Sequence, residues 1–91
     1  MLKTASLALA ASLLIPASMS QAGSLGRPCT TEPQAKWMTL DALQGKVEAL
    51  GYKVQKAKLK AACGEIYALD PNGARTELFV DPTSGDIVEK M

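Results

Sequence analysis

The residues best suited to covalent or redox chemistry in this sequence are two cysteines, Cys29 and Cys63. The chain of 91 residues contains no histidine, and its cysteines are too far apart to form a CxxC motif. Both facts argue against the alternative of a metal-binding or redox-active pair. We predict a structural disulfide, because paired thiols of exported proteins oxidise and a small domain needs such a cross-link. Closing a loop of about 35 residues would stabilise the fold by roughly 4 kcal/mol.

Without histidine, catalysis would need a carboxylate pair, a Ser–Lys arrangement or a thiolate. The predicted strand pairing brings one acidic pair together, Glu65 and Glu77. These side chains would lie on an open sheet, and the chain is too short to enclose a large dry pocket. The sequence therefore favours a protein that is not an enzyme. It also predicts no cofactor and no metal site. The oxygen-bearing residues at 70–73 and 81–86 are typical of turns and lack the alternating acidic ligands of a calcium loop.

A β-hairpin turn is predicted at residues 70–73, which read Asp-Pro-Asn-Gly. A three-residue loop places Asp70 opposite Ala74, and counting outward pairs Tyr67 with Glu77 and Glu65 with Phe79. Because paired residues point to the same side of a sheet, the hairpin has two distinct faces. The apolar face, our predicted core, comprises Ile66, Ala68, Thr76, Leu78 and Val80. The other, called the second face from here on, comprises Glu65, Tyr67, Leu69, Arg75, Glu77 and Phe79.

A second turn is predicted at residues 81–86, where Asp, Pro and Gly recur with one more loop residue. A four-residue loop sets Val80 opposite Ile87 and Phe79 opposite Val88. The sequence therefore predicts a short final edge strand.

An amphipathic helix is predicted before these strands. Thr39 can cap it, Leu40 begins it, and Gly51 ends it as a left-handed residue. Apolar residues at spacings of three and four form one stripe that should pack on the sheet. The stripe consists of Leu40, Leu43, Val47 and Leu50.

Residues 52–60 predict an edge strand. The alternation of apolar and polar residues shifts by one position in the middle of this strand, which a bulge near Gln55 and Lys56 would explain. The strand also carries Lys58 and Lys60. Charged side chains protect an edge strand from aggregation, and the alternative is a binding stripe for an acidic partner or a small anion. Together the elements predict an α+β domain in which one N-terminal helix packs on a three- to four-stranded antiparallel meander sheet with one disulfide.

The first 22 residues have the pattern of a cleaved signal peptide, with Lys3 before an apolar run and small residues at 20 and 22. Cleavage between Ala22 and Gly23 would place the remainder in the periplasm or outside the cell. The alternative of a retained membrane helix is disfavoured, because the run is shorter than the roughly 20 residues that span a bilayer. The predicted organisation is a signal peptide at 1–22, an irregular arm at 23–36 pinned by the disulfide, and a domain at 37–91.

The charge of the chain gives little support to binding of nucleic acid. The formal net charge is +1, and removal of Lys3 with the signal peptide brings it near zero. Proteins that bind nucleic acid mainly through charge show a clear basic excess. We therefore predict no nucleic-acid partner, and no transmembrane span after signal removal.

The order of these elements and motifs resembles the PepSY domain family. The matching residues are Trp37-Met38, Gly51-Tyr52, Cys63, Glu65, Tyr67, Asp70, Gly73, Glu77, Asp81-Pro82 and Gly85. The resemblance covers residues 36–88, and it departs from the family at 60–62, where an acidic residue and a Gly turn are common. The resemblance implies an α+β domain. It also implies a non-catalytic function, since PepSY domains occur in propeptides of secreted metallopeptidases and in membrane-associated regulators. It implies no catalytic residue at any position.

The leading functional hypothesis is a monomeric periplasmic module that binds or regulates another protein, such as an exported peptidase or a membrane-bound regulator. Its predicted contact surface is the second face, where Tyr67 and Phe79 lie among charged groups as interface anchors often do. The alternative is that the arm covers this face and makes it a second small core. A different class of function is sequestration of a small anionic ligand by Lys56, Lys58 and Lys60, or a role in envelope stress.

Overall fold

The computed structural model describes residues 25–91. After a 3₁₀ helix at Gln34–Lys36, the chain forms helix α1 (Leu40–Ala49) and strands β1 (Lys53–Lys60), β2 (Cys63–Leu69), β3 (Arg75–Val80) and β4 (Ile87–Lys90). The strands pair in chain order as one antiparallel meander. The predicted α+β architecture is confirmed, with four strands. The predicted signal peptide at 1–22 lies outside the described residues, and none of the described helices has the length and apolarity to cross a membrane.

Helix α1 begins and ends where the capping residues predict. The hydroxyl oxygen of Thr39 accepts a hydrogen bond from the backbone N–H of Ala42 at 3.1 Å, and Gly51 has a φ of 100°. Leu43 and Val47 are fully buried, but Leu50 is 58% exposed, so its predicted place in the apolar stripe is wrong. Leu50 is the C-cap, where φ and ψ of −89° and 1° depart from the helix, and its side chain does not continue the stripe.

The core lies between α1 and the apolar face of the sheet. It consists of Leu43, Val47, Ile66, Ala68, Leu78 and Val80. The helix approaches the sheet closely at Gly64, where an added Cβ would lie 3.2 Å from Cδ1 of Leu43. The chain entering the helix is tied to the same end of the sheet, because the N–H of Met38 donates to the carbonyl of Pro82 at 2.7 Å.

The β2–β3 hairpin has the predicted register, with Glu65 opposite Phe79 and Tyr67 opposite Glu77. The turn chemistry that fixes it is also present. One carboxylate oxygen of Asp70 accepts hydrogen bonds from the backbone N–H groups of Asn72 and Ala74, at 2.8 and 2.9 Å. Side-chain capping of this kind sets the loop length, and the loop length sets the register.

The β3–β4 pairing differs from the prediction by one residue. Val80 lies opposite Ile87 as predicted, but Phe79 lies opposite Glu89, so the predicted Phe79–Val88 pair is wrong. A register shift between Phe79 and Val80 is the reason. Its consequence is that Glu89 rather than Val88 is added to the second face.

The predicted bulge in β1 is present, as a register shift between Val54 and Lys56. Beyond it, Lys56 lies opposite Tyr67 and Lys58 opposite Glu65. The lysines of this edge strand therefore project from the second face.

Candidate functional site on the second face

The N-terminal arm is attached to one end of the second face. Cys29 and Cys63 form the predicted disulfide, with their Cα atoms 4.9 Å apart. The N–H of Cys29 donates to the carbonyl of Ala62 at 3.2 Å, and the hydroxyls of Thr30 and Thr83 are 3.3 Å apart. These contacts join the arm to the β1–β2 turn and to the β3–β4 loop. The arm thus spans the sheet at the end where β2 begins.

Near the arm, the second face is buried. Cys63, Glu65 and Phe79 are 1%, 2% and 0% exposed, respectively. Arm residues 25–28 and Glu65 line a common cavity of about 250 Å³. Two residues of the predicted contact surface, Glu65 and Phe79, are therefore not accessible to a partner in this state. Of the two aromatic residues in the alternative of a second small core, Phe79 is buried and Tyr67 is only half-buried.

The buried carboxylate of Glu65 has one distant cationic neighbour and an oxygen without a hydrogen bond. The Nζ atom of Lys58 lies 4.0 Å from its Oε1 atom, too far for a hydrogen bond. Within residues 25–91 this oxygen has no hydrogen-bond partner. Lys58 thus supplies Coulombic attraction from a half-exposed position without satisfying the oxygen.

The other half of the second face is open and forms a groove of about 460 Å³. Its lining consists of Gln55, Tyr67, Ala68, Leu69, Arg75, Thr76, Glu77 and Met91. Tyr67, Leu69 and Glu77 are half-buried, and Arg75 is exposed. The surface that a partner can reach is therefore narrower than the predicted face.

Met91 also lines this groove, although no sequence pattern had indicated it as a site residue. Its N–H donates to the carbonyl of Glu77 at 2.9 Å, and its carbonyl accepts from the N–H of Glu77 at 3.1 Å. These bonds continue the pairing of β4 by one residue. The shifted register places Met91 opposite Glu77. Met91 could therefore have been assigned to the second face if the β3–β4 register had been predicted correctly.

The groove has a negative electrostatic character around Tyr67. Burial raises the pKa of the Tyr67 phenol above its ordinary value of 10.0, the negative charge of Glu77 and a side-chain hydrogen bond to Glu77 raise it further, and Glu65 has a smaller effect. The Oε2 atom of Glu77 is buried and has no hydrogen-bond partner among the described residues. The phenol of Tyr67 and the carboxylate of Glu77 therefore interact across neighbouring strands, and Oε2 is the carboxylate oxygen left without a partner.

The predicted lysine stripe lies along the border of the same face. Lys56, Lys58 and Lys60 are opposite Tyr67, Glu65 and Cys63. Lys58 pairs with Glu65, whereas Lys56 and Lys60 form no ion pair within the part of the chain that the structure describes. The two predicted sites, a contact face and an anion stripe, are thus neighbouring parts of one surface.

The geometry suits recognition better than acid–base catalysis. Glu65 and Glu77 line different cavities, one beneath the arm and one in the open groove. Two carboxylates that act on one bond must reach the same space. Over residues 25–91 there is no group of three or more His, Cys, Asp or Glu side chains that could hold a metal ion.

One helix on a four-stranded antiparallel meander, with an acidic and aromatic groove on the uncovered side, defines a small α+β domain suited to recognition. The sequence matches the model of the family described as "Peptidase propeptide and YPEB domain" over residues 6–91. The chain belongs to this family, and the resemblance to PepSY domains is confirmed. Such domains are propeptide- or inhibitor-like modules, generally non-catalytic and typically extracellular or periplasmic. No match was found among curated proteins or among solved structures.

Proposed function

We propose that this chain is a non-catalytic module that binds another protein through the open half of the second face and regulates it. The observation that carries the proposal is the division of that face. At the end where the arm is attached Phe79 is fully buried, while Tyr67 and Leu69 remain partly exposed in a groove with Met91. Aromatic and Met side chains beside a few polar groups are typical of interface anchors.

The target that we propose is an exported peptidase, with a membrane-bound regulator as the other candidate. The family description supports the first, because it includes the propeptides of peptidases. We further propose that residues 1–22 are a signal peptide cleaved before Gly23, and that residues 37–91 act in the periplasm as the binding domain. A propeptide-like module outside the cytoplasm would meet exported peptidases there.

The test is an inhibition assay with the exported, oxidised protein purified from the periplasm. It is titrated into the exported peptidase fraction of its own organism, with a fluorogenic protein substrate. We expect inhibition that saturates with added protein and is lost in the double variant Tyr67→Ala, Leu69→Ala. Leu50→Ala is the matched control, because Leu50 is 58% exposed on the helix layer and lies away from the groove. Equal inhibition by both variants, or none by the wild type, would count against the proposal.

A second candidate function is sequestration of a small anion by the lysine border. It is favoured by Lys56 and Lys60, which form no ion pair within residues 25–91. Retention on an anionic resin that survives physiological salt, and that is lost when Lys56, Lys58 and Lys60 are changed to Gln, would support it. Inhibition of a peptidase that is unchanged in this triple variant would favour the groove instead.

A further inference from the structure

Two carboxylate oxygens on the second face are buried without a hydrogen-bond partner in the described residues, Oε1 of Glu65 and Oε2 of Glu77. Buried polar atoms of native proteins are nearly always hydrogen-bonded, and an exception calls for a physical explanation such as a missing ligand group. Glu65 is beneath the arm, but Glu77 lines the open groove. The carboxylate of Glu77 therefore borders a groove that a partner can approach, while its Oε2 atom is itself covered in the unbound protein.

The groove around Glu77 has the composition that a long basic side chain requires. Tyr67 lies directly opposite Glu77 and offers an aromatic ring, while Leu69 and Met91 supply apolar walls. The alkyl stem of arginine or lysine packs on such walls, and its cationic head donates hydrogen bonds to a carboxylate or lies over an aromatic face. The negative charges of Glu77 and Glu65 already act on the phenol of Tyr67.

The basic groups around the groove do not neutralise Glu77. Lys56 is opposite Tyr67 on β1, and Arg75 is two residues before Glu77 on β3. Both are exposed, and neither lies within ion-pair distance of Glu77 among residues 25–91. Solvent screens their charges more strongly than it screens the buried carboxylate oxygen. The groove is thus acidic at its base and basic at its rim.

We propose that the open half of the second face binds an arginine or lysine side chain of the partner polypeptide, with Glu77 as its counter-ion. This inference rests on the proposed function and specifies the chemistry of the partner. Because Lys56 and Arg75 stand at the rim, the recognised basic residue should have neutral or acidic neighbours in its own sequence.

The test is an NMR titration of the ¹⁵N-labelled, oxidised exported protein with three peptides that differ only at their centre. The peptides are acetyl-Ala-Xaa-Ala-amides with arginine, citrulline or glutamate, where citrulline has the shape of arginine without its charge. We expect the arginine peptide to shift the amide signals of Tyr67, Leu69 and Glu77. Citrulline should bind roughly tenfold more weakly, which is the scale of the difference between charge-assisted and neutral hydrogen bonds.

Two variants remove the same charge from different positions of one face. Glu77→Gln should abolish the difference between arginine and citrulline, whereas Glu89→Gln should preserve it, because Glu89 is exposed on β4 opposite Phe79. The proposal is overturned if citrulline binds as well as arginine, if the glutamate peptide binds best, or if the arginine peptide causes no shift in a folded spectrum. The peptidase assay is independent of these results. Failure of the peptide titration would reject the basic side chain as ligand, whereas failure of the peptidase assay would reject the proposed function.

Discussion

Tyr67 and Phe79 have the same chemical character in the sequence and different environments in the fold. Both belong to the second face by strand parity, yet Phe79 is fully buried and Tyr67 lines the open groove. Parity establishes the side of the sheet on which a residue lies, but not what covers that side. At the residue scale, burial therefore divides the second face, and its buried end is the one to which the arm is attached.

Substitutions at the two aromatic residues should separate packing from binding. Phe79→Ser should lower the free energy of unfolding by about 4 kcal/mol, as large-to-small core substitutions do. Tyr67→Ser should cost less than about 2 kcal/mol, because its ring is only partly buried. Urea unfolding followed by circular dichroism measures both values. Equal losses would show that the groove is as much a part of the core as the covered half.

The ionisation of Tyr67 should report on Glu77. Because the charge of Glu77 disfavours tyrosinate, Glu77→Gln should lower the pKa of Tyr67 toward its ordinary value of 10.0, while burial keeps it somewhat raised. Ultraviolet titration in a Tyr52→Phe background isolates this phenol. Glu89→Gln, on the same face and exposed, should leave the titration unchanged.

The same raised pKa gives a direction for alkaline stability. The folded protein holds the Tyr67 proton more tightly than the unfolded chain, which ionises first as the pH rises above 10.0. The contribution of Tyr67 to stability is therefore complete below this pH and decreases as the pH rises toward the folded pKa. In Glu77→Gln the folded pKa lies closer to 10.0, so this variant should lose less stability than the wild type between roughly pH 9 and pH 12, as measured by urea unfolding at each pH.

At the scale of the elements, the β1–β2 turn is the least regular connection in the described chain. Strand β1 ends at Lys60 and β2 begins at Cys63, so the loop consists of Ala61 and Ala62, with φ values of 51° and 62°. A two-residue hairpin with both φ values positive is the type I′ pattern, in which Asn-Gly is preferred and alanine is strained. Residues 60–62 thus differ from the family pattern in residue type, but the hairpin turn still forms.

Replacing these two alanines should stabilise the protein. The double variant Ala61→Asn, Ala62→Gly should gain about 1 kcal/mol or more, since a left-handed conformation costs alanine roughly 1–2 kcal/mol. Ala62→Val is the opposite control and should destabilise, because a β-branched residue tolerates a positive φ poorly. Thermal unfolding of the three variants tests the prediction. A loss of stability in the Asn-Gly variant would contradict it.

Local chemistry explains which elements the sequence predicts correctly. Asp70 and Gly73 specify the β2–β3 turn through side-chain hydrogen bonds and a positive φ, and the register follows by counting. The shift at Phe79 and Val80 has no such local signal, so Val88 was paired with the wrong residue. The sequence of the arm has no periodic pattern either, so its path along the sheet could not be predicted. What it covers depends on tertiary contacts such as the Thr30–Thr83 hydroxyl pair.

At the scale of the whole molecule, a single disulfide connects the arm to the domain. It links residues 34 apart in sequence, and its partner Cys63 is buried at the head of β2. Apolar burial alone is modest in a domain of this size, so cross-links contribute a large share of net stability. The arm thus lines a cavity with Glu65 at one end of the second face and, through the disulfide, contributes to the stability of the fold.

Removal of the disulfide should affect the two halves of the second face differently. In the double variant Cys29→Ala, Cys63→Ala, the free energy of unfolding should fall by roughly 4 kcal/mol, the value expected from loop closure. Amide signals at Glu65 and Phe79 should move in the NMR spectrum of the folded variant, while those at Leu69 and Glu77 stay in place. Equal changes in both halves would show that the arm also shapes the groove.

Because of its bulge, strand β1 should tolerate the loss of one residue. A residue lost from the middle of a strand normally inverts one half of it, so that core side chains turn to solvent. Here Val54 pairs with Ala68 and Lys56 with Tyr67, which are consecutive residues of β2. Loss of Gln55 would therefore leave both halves of β1 on their present faces. Homologues shorter by one residue at this position could keep the same core and the same basic border.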